Sequence, residues 1–379
     1  MPATKNRFDL PELAGAFGDL GTLIPFVLAY VSILKMDPAS LFLGFGAMLI
    51  AAGTYYRTPF PVQPMKAIGA AAVIQTAGVV TLTPTMVIGA GVATSVIWLF
   101  LGMTGLAKRL SAWIPKPALL GVVMGLGFSF MLEGIRMMSE RWVVSACLLI
   151  LTLALLARSR FPAMVMLLIA GAMLALIQQP TLADELALIK PALRLPEFAW
   201  PSLGWQDVWM GGLLLALPQL PLTFGNALIA ITEENNRLFP DRPVSERKVA
   251  VSTGLINLWS SALGGIPMCH GAGGMAGHVK FGARTGGSSI MLGGLLLVVG
   301  LFFSSSIGTL FRLFPPSVLG VILFLAGTEL AMGSRDPDPE KVDRFLVLAT
   351  AAFAVLNVGI AVIFGFTAYH ASKRGWLKV

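Results

Sequence analysis

Thr58-Pro59-Phe60-Pro61-Val62-Gln63-Pro64-Met65-Lys66 cannot be regular helix, because its three prolines bias the residues before them toward extended geometry. An apolar run to about Ala77 follows. A helix from Pro64 to there rises roughly 20 Å at 1.5 Å per residue, about half to two-thirds of a bilayer, so its N-terminus is expected deep inside the protein. Gly264-Gly265-Ile266-Pro267-Met268-Cys269-His270-Gly271-Ala272-Gly273-Gly274 repeats the pattern later in the chain. The expectation is two half-helices whose N-termini face each other from opposite leaflets. Each such end presents unpaired N–H groups and about half a positive charge, which suits a small tetrahedral or planar anion. Gly271, Gly273 and Gly274 let a ligand approach the backbone closely. A single Pro-Gly break is more often a kink; two at corresponding places favour a site.

The rest of the chain says why such ends can lie in a membrane. Hydrophobic residues make up 56% of 379 positions and charged ones 12%, with a mean hydropathy of +0.80, so lipid is the solvent for most of it. Unbroken apolar runs such as Trp142 to Leu156 and Ile290 to Phe303 point to helices rather than barrel strands. Close packing and interruptions are expected from 41 Gly and 24 Pro. Spans are predicted near 12–33, 39–56, 64–78, 84–105, 116–135, 142–157, 161–178, 208–232, 247–264, 270–281, 287–304, 316–333, 342–356 and 357–371. About fourteen spans of roughly 20 residues leave no room for a soluble domain. No removable signal peptide is read at Met1 to Leu10, and neither Cys147 nor Cys269 suggests a disulfide framework.

A net charge of +8 could mean nucleic acid, but in a membrane protein basic residues more often record orientation. With alternate loops assigned to opposite faces, most of the 27 Lys and Arg collect on one side. The other side has Lys35, Arg136, Arg141, Lys190, Arg194 and Arg312, and Lys66 falls inside a span. That asymmetry supports an even number of spans with both termini cytoplasmic, and nucleic acid is not expected as a partner.

Three motif pairs recur in the same order at an offset of about 200 residues. Phe17-Gly18-Asp19 returns as Phe224-Gly225-Asn226, Pro64-Met65 as Pro267-Met268, and Pro115 through Gly121-Val122 as Pro315 through Gly320-Val321. An odd number of spans per copy inverts the second copy. The predicted fold is therefore an all-α polytopic membrane protein of two inverted seven-span repeats, 1–179 and 207–379, joined by an interfacial connection over 180–206.

Asp19 and Asn226 occupy equivalent positions in crossing spans, and an intramembrane carboxylate is by default functional. Lys66 in a first helical turn opposes the helix dipole unless a bound anion, the interface or Asp19 balances it. His270 is a candidate donor to the anion or proton acceptor. Glu133, Glu233, Glu234 and Glu329 near span ends read as interfacial or gating charges. Cys269, His270 and His278 lack a usual metal-ligand spacing. No metal, cofactor or P-loop is expected.

Gly18-Asp19-Leu20-Gly21-Thr22, Pro61 through Lys66, Pro218 through Thr223 with Gly225-Asn226-Ala227, and Pro267 through Gly274 resemble the MOT-type molybdate transporter family. The likeness continues through Gly277-His278 and Phe281 through Gly287. That family is related to the SulP sulfate permeases, which usually carry a cytoplasmic STAS domain after the last span; this chain stops soon after His370. The resemblance implies a core domain (12–112 and 207–304) moving elevator-like against a gate domain (113–179 and 305–371). It places molybdate among Gln63, Met65, Lys66, Ala67, Cys269, His270, Gly271, Ala272 and Gly273, with Asp19, Thr22, Gly225 and Asn226 beside them. A bacterial inner membrane is the expected setting, and the related families commonly form gate-domain dimers, although the sequence does not itself fix whether this chain is a homodimer.

Importing a dianion against 100 mV, inside negative, costs about 4.6 kcal/mol, so uptake needs coupling. Proton symport is the expectation, with Asp19, His270 and Glu329 as candidate groups. Sulfate transport on the same fold is the nearest alternative. Nucleobase or organic-anion carriers, an anion channel and an intramembrane metalloenzyme are more remote, and no enzyme activity is expected.

Overall fold

The computed structural model describes residues 5–32, 34–65, 68, 82–112, 115–157, 163–196, 203–333, 341–356 and 358–376. Its N-terminal part runs α1 (Leu10–Ala16), a 3-10 turn (Phe17–Asp19), α2 (Leu20–Ser32), α3 (Pro38–Tyr56), strand β1 (Gln63–Pro64), α4 (Pro84–Met103), α5 (Leu106–Ala112), α6 (Lys116–Met138), α7 (Trp142–Leu156), α8 (Ala163–Gln178) and α9 (Thr181–Ala187). The C-terminal part runs α10 (Trp205–Gly211), α11 (Leu217–Phe224), α12 (Ile231–Leu238), α13 (Glu246–Ala262), strand β2 (Met268–Cys269), α14 (Ala272–Lys280), α15 (Gly287–Phe302), α16 (Ile307–Phe311), α17 (Pro316–Gly333), α18 (Lys341–Leu356) and α19 (Val358–Lys373). Two π-helical segments, Gly212–Ala216 and Gly225–Ala230, separate α10, α11 and α12.

Helix starts follow local chemistry. The carboxylate of Asp37 accepts from the Ser40 N–H at 3.0 Å, and the Thr83 hydroxyl from the Met86 N–H at 3.2 Å. Pro38 and Pro84 stand just inside these helices, where a missing N–H costs nothing. Among the described residues, Pro38–Tyr56, Pro84–Met103 and Lys116–Leu156 are long and apolar enough to cross a membrane. The pairs α8 with α9 and α15 with the turn through Phe311 reach that length together, bent by 111° and 91°.

Packing joins α15 to α3 and both α10 and α13 to α4; elsewhere α17, α18 and α19 lie along α6. Lipid offers no hydrophobic drive between helices, so close approach through small residues supplies the contact. A Cβ on Gly134 would lie 2.7 Å from the Gly320 carbonyl oxygen, and one on Gly320 would lie 2.7 Å from that of Gly134. Gly127 and Gly327 face each other in the same reciprocal way, at 2.7 and 2.6 Å.

One local expectation changes. A helix was expected from Pro64, but Pro64 lies in β1 and the Met65 N–H still donates across to the Pro267 carbonyl at 3.0 Å. Most of the apolar run after it, 66–67 and 69–81, lies outside the described residues. At the Phe-Gly-Asp/Asn motif the first and eighth predicted spans change helical pitch, to a 3-10 turn ending at Asp19 and to a π-helical segment holding Asn226, with helical backbone angles on both sides.

Candidate functional site

Three prolines keep 59–64 extended, and the groups around them fix where it runs. Thr58 donates to Asn235 Oδ1 at 2.8 Å, Ser289 to the Phe60 carbonyl at 3.0 Å, and His270 Nδ1 to the Pro61 carbonyl at 2.7 Å. Extended backbone inside a membrane protein must find partners within the protein. Here β1 finds them in β2, antiparallel, with Gln63 opposite Cys269 and Pro64 opposite Met268. On the far side of β2, the fully buried Asn257 amide completes the ladder. It donates to the Met268 carbonyl at 2.7 Å and accepts from the Met268 N–H at 3.0 Å.

This crossing aims the N-terminus of α14 at a buried polar cluster. The N–H groups of Gly274 and Met275 turn back to the Gly271 carbonyl, at 3.0 and 3.4 Å. Those of Ala272 and Gly273 open the helix and are its outward donors. Gln63 Nε2 donates to Asp19 Oδ1. The other end of that amide faces α14, since a Cβ on Gly271 would fall 1.7 Å from Gln63 Oε1 and 3.3 Å from Asn226 Nδ2. A Cβ on Gly274 would stand 2.7 Å from Gln63 Nε2 and 3.0 Å from Asp19 Oδ2. Asp19, Gln63 and Asn226 are each at most 2% exposed, and Asn226 Oδ1 has no hydrogen-bond partner. Phe130 of α6 closes one side, its ring 1.8 Å from where a Gly273 Cβ would be.

Asp19, Gln63, Gly271 and Asn226 are thus brought together, with Ala272 and Gly273 supplying backbone and Gly225 opening the π-helical turn. Met65 and Cys269 contribute through backbone position, both buried. His270 is placed differently from the expectation. Its Nδ1 bonds the Pro61 carbonyl and its Nε2 the Ser252 hydroxyl at 2.7 Å, which makes it a tie between the extended segment and α13. His278 bonds the Gly15 carbonyl at 2.8 Å. Lys66 and Ala67, and the side chains of Thr22 and Glu329, lie outside the described residues.

Two residues escaped the sequence reading. Asn257 carries only the weak signal of an amide within an otherwise apolar stretch of α13. Glu12, fully buried, accepts from the N–H groups of Arg284 and Thr285 at 2.9 Å and of Ser288 at 3.2 Å, so its carboxylate caps α15 from another part of the chain. The neighbouring Gly18 and Gly277 touch backbone to backbone, a Cβ on Gly277 falling 2.4 Å from the Gly18 carbonyl oxygen. That contact holds α14 against the turn carrying Asp19.

Comparison with known proteins adds what geometry cannot. Residues 11–130 and again 211–330 match the family described as molybdate transporter of MFS superfamily. Molybdate transporter 2 of Arabidopsis thaliana is 34% identical over 93% of this chain and 85% of that protein. Molybdate transporter 1 of the same plant is 30% identical, over 96% and 87%. Molybdate transporter 1 of Chlamydomonas reinhardtii is 28% identical, over 95% and 91%. In fold, the chain resembles the transmembrane domain of the cyanobacterial bicarbonate transporter BicA, with a TM-score of 0.53, 17% identity and coverage of 95% and 98%. It also resembles murine Slc26a9, an anion transporter in its inward-facing state, with a TM-score of 0.62, 12% identity and coverage of 100% and 70%.

Proposed function

The chain belongs to the molybdate transporter family, and on that premise we propose that it is a secondary active transporter that binds molybdate at the N-terminus of α14 beside Asp19, Gln63 and Asn226. The observation that carries this reading is the meeting, away from water, of an outward-facing helix start with two amides and a carboxylate. In that cluster Gln63 Oε1 is the acceptor oxygen facing the helix start. A tetrahedral oxyanion takes its place, accepting from the Ala272 and Gly273 N–H groups, from the Asn226 amide and from Gln63 Nε2 once that amide turns toward it. Lys66, close in sequence to Gln63, supplies a compensating charge.

The architecture we propose has about fourteen spans in two inverted repeats, with both termini cytoplasmic, and core and gate domains that slide past each other in an elevator motion. The double family match, the antiparallel β1–β2 pair and the irregular helical turns at Asp19 and Asn226 support the repeat. Because the dianion must climb an inside-negative potential, transport is coupled to protons, with Asp19 as the group that takes one up. His270, held between Ser252 and Pro61, is the weaker candidate.

The test is competition among molybdate, tungstate and sulfate for the purified protein, with Gln63→Ala and Lys66→Ala beside the unaltered chain. Molybdate and tungstate are expected to displace each other and to bind more tightly than sulfate, with both variants weakened. Tighter binding of sulfate overturns the substrate, and unchanged binding by both variants overturns the site.

A further inference from the structure

Helix α3 ends and α13 begins at the same edge of the molecule, and between them runs a cavity of about 940 Å³ on the outer surface. Its walls are apolar, including Met48, Ala51, Leu255, Trp259 and Ala262. Its mouth is basic. Arg247 and Lys248 stand there, and Lys248 also lines an adjoining cavity of about 340 Å³ together with Arg57 and Arg242. Arg242 Nη1 donates to the Arg57 carbonyl at 2.8 Å, which fixes two cationic residues side by side. The carboxylates nearest in sequence, Asp241 and Glu246, line neither cavity.

From Lys248 to Ala262 the groove follows roughly 20 Å of helix, a little more than the ~15 Å of one hydrocarbon leaflet. An apolar channel one leaflet deep under a cluster of four cations complements a molecule with a long hydrocarbon chain and an anionic head. We propose that this groove binds an anionic phospholipid, its phosphate at Arg57, Arg242 and Lys248 and one acyl chain between α3 and α13. The site is separate from the proposed anion site; Ser252 and Tyr56 line the groove and both reach His270, Ser252 by a hydrogen bond and Tyr56 by an edge-on ring contact.

The full-length protein in detergent, mixed with phosphatidylglycerol or phosphatidylcholine and read by native mass spectrometry, tests this. Phosphatidylglycerol is expected to stay bound where phosphatidylcholine is lost. In Arg57→Gln and Lys248→Gln, retention should weaken about fivefold per charge removed, and Ala51→Trp, which fills the groove from an exposed position, should lose the lipid with both charges intact. Thermal unfolding of each variant near that of the unaltered protein shows that the chain is folded. Equal retention of phosphatidylcholine, or phosphatidylglycerol bound undiminished by all three variants, overturns the proposal. So does a second copy of the chain cross-linked across α3 and α13 with no lipid retained.

Discussion

Asn226 is buried with its carbonyl oxygen unpartnered, and its amide nitrogen faces the start of α14. Because a hydrogen bond to a charged group contributes about 1.5–3 kcal/mol, Asn226→Ala is expected to weaken molybdate binding by roughly ten- to a hundredfold, measured by calorimetry. Asn226→Asp should weaken it further, since it opposes one anion with another. Glu12 offers a prediction of stability instead. Glu12→Ala leaves three N–H groups without their acceptor and is expected to cost about 3 kcal/mol, seen as a lower midpoint of thermal unfolding, with Glu12→Gln falling between. A midpoint unchanged in both would show that the clamp is dispensable. Asp19 was legible from sequence because a carboxylate amid apolar residues stands out. Glu12 was not, because it looks like an interfacial charge at a helix start and its partners begin 272 residues downstream.

Elements show the same division. Proline and glycine announced the extended segments around Gln63 and Cys269, since both residues act on their own backbone. Their pairing with each other, and the use of Asn257 as a substitute third strand, depends on side chains far apart in sequence and carried no local signal. The changes of helical pitch at Asp19 and Asn226 carried no local signal either, because glycine in an apolar run fits a packed helix as well as an irregular turn. At Gly277 the contact with Gly18 leaves no space for a side chain. Gly277→Val is expected to force α14 away from the turn carrying Asp19, lowering stability by about 1–3 kcal/mol and reducing molybdate uptake by more than that loss of folded protein explains. Uptake per folded molecule equal to that of the unaltered chain would mean that the contact serves folding alone.

For the whole molecule, the family description names the MFS superfamily, while the solved structures it resembles are BicA and Slc26a9. Membrane character and the substrate class were readable from composition and motifs. The motifs, through their resemblance to the molybdate transporters and the related SulP permeases, also pointed to the fold that BicA and Slc26a9 show, whereas the helix-to-helix contacts within it carried no local signal. Coupling belongs to this scale too. In vesicles with an inside-negative potential, collapsing the pH gradient is expected to reduce molybdate uptake severalfold. In Asp19→Asn, residual uptake should no longer respond to that gradient; dependence kept intact would remove Asp19 from the proton's path. Gly127 and Gly327 each occupy the space that the other's side chain would need. Neither can be enlarged unless the opposite helix retreats, and because each clash is with the partner's backbone, no second substitution can make room for the first. However far the two halves of this chain drift apart, they inherit this point of contact as a single trait.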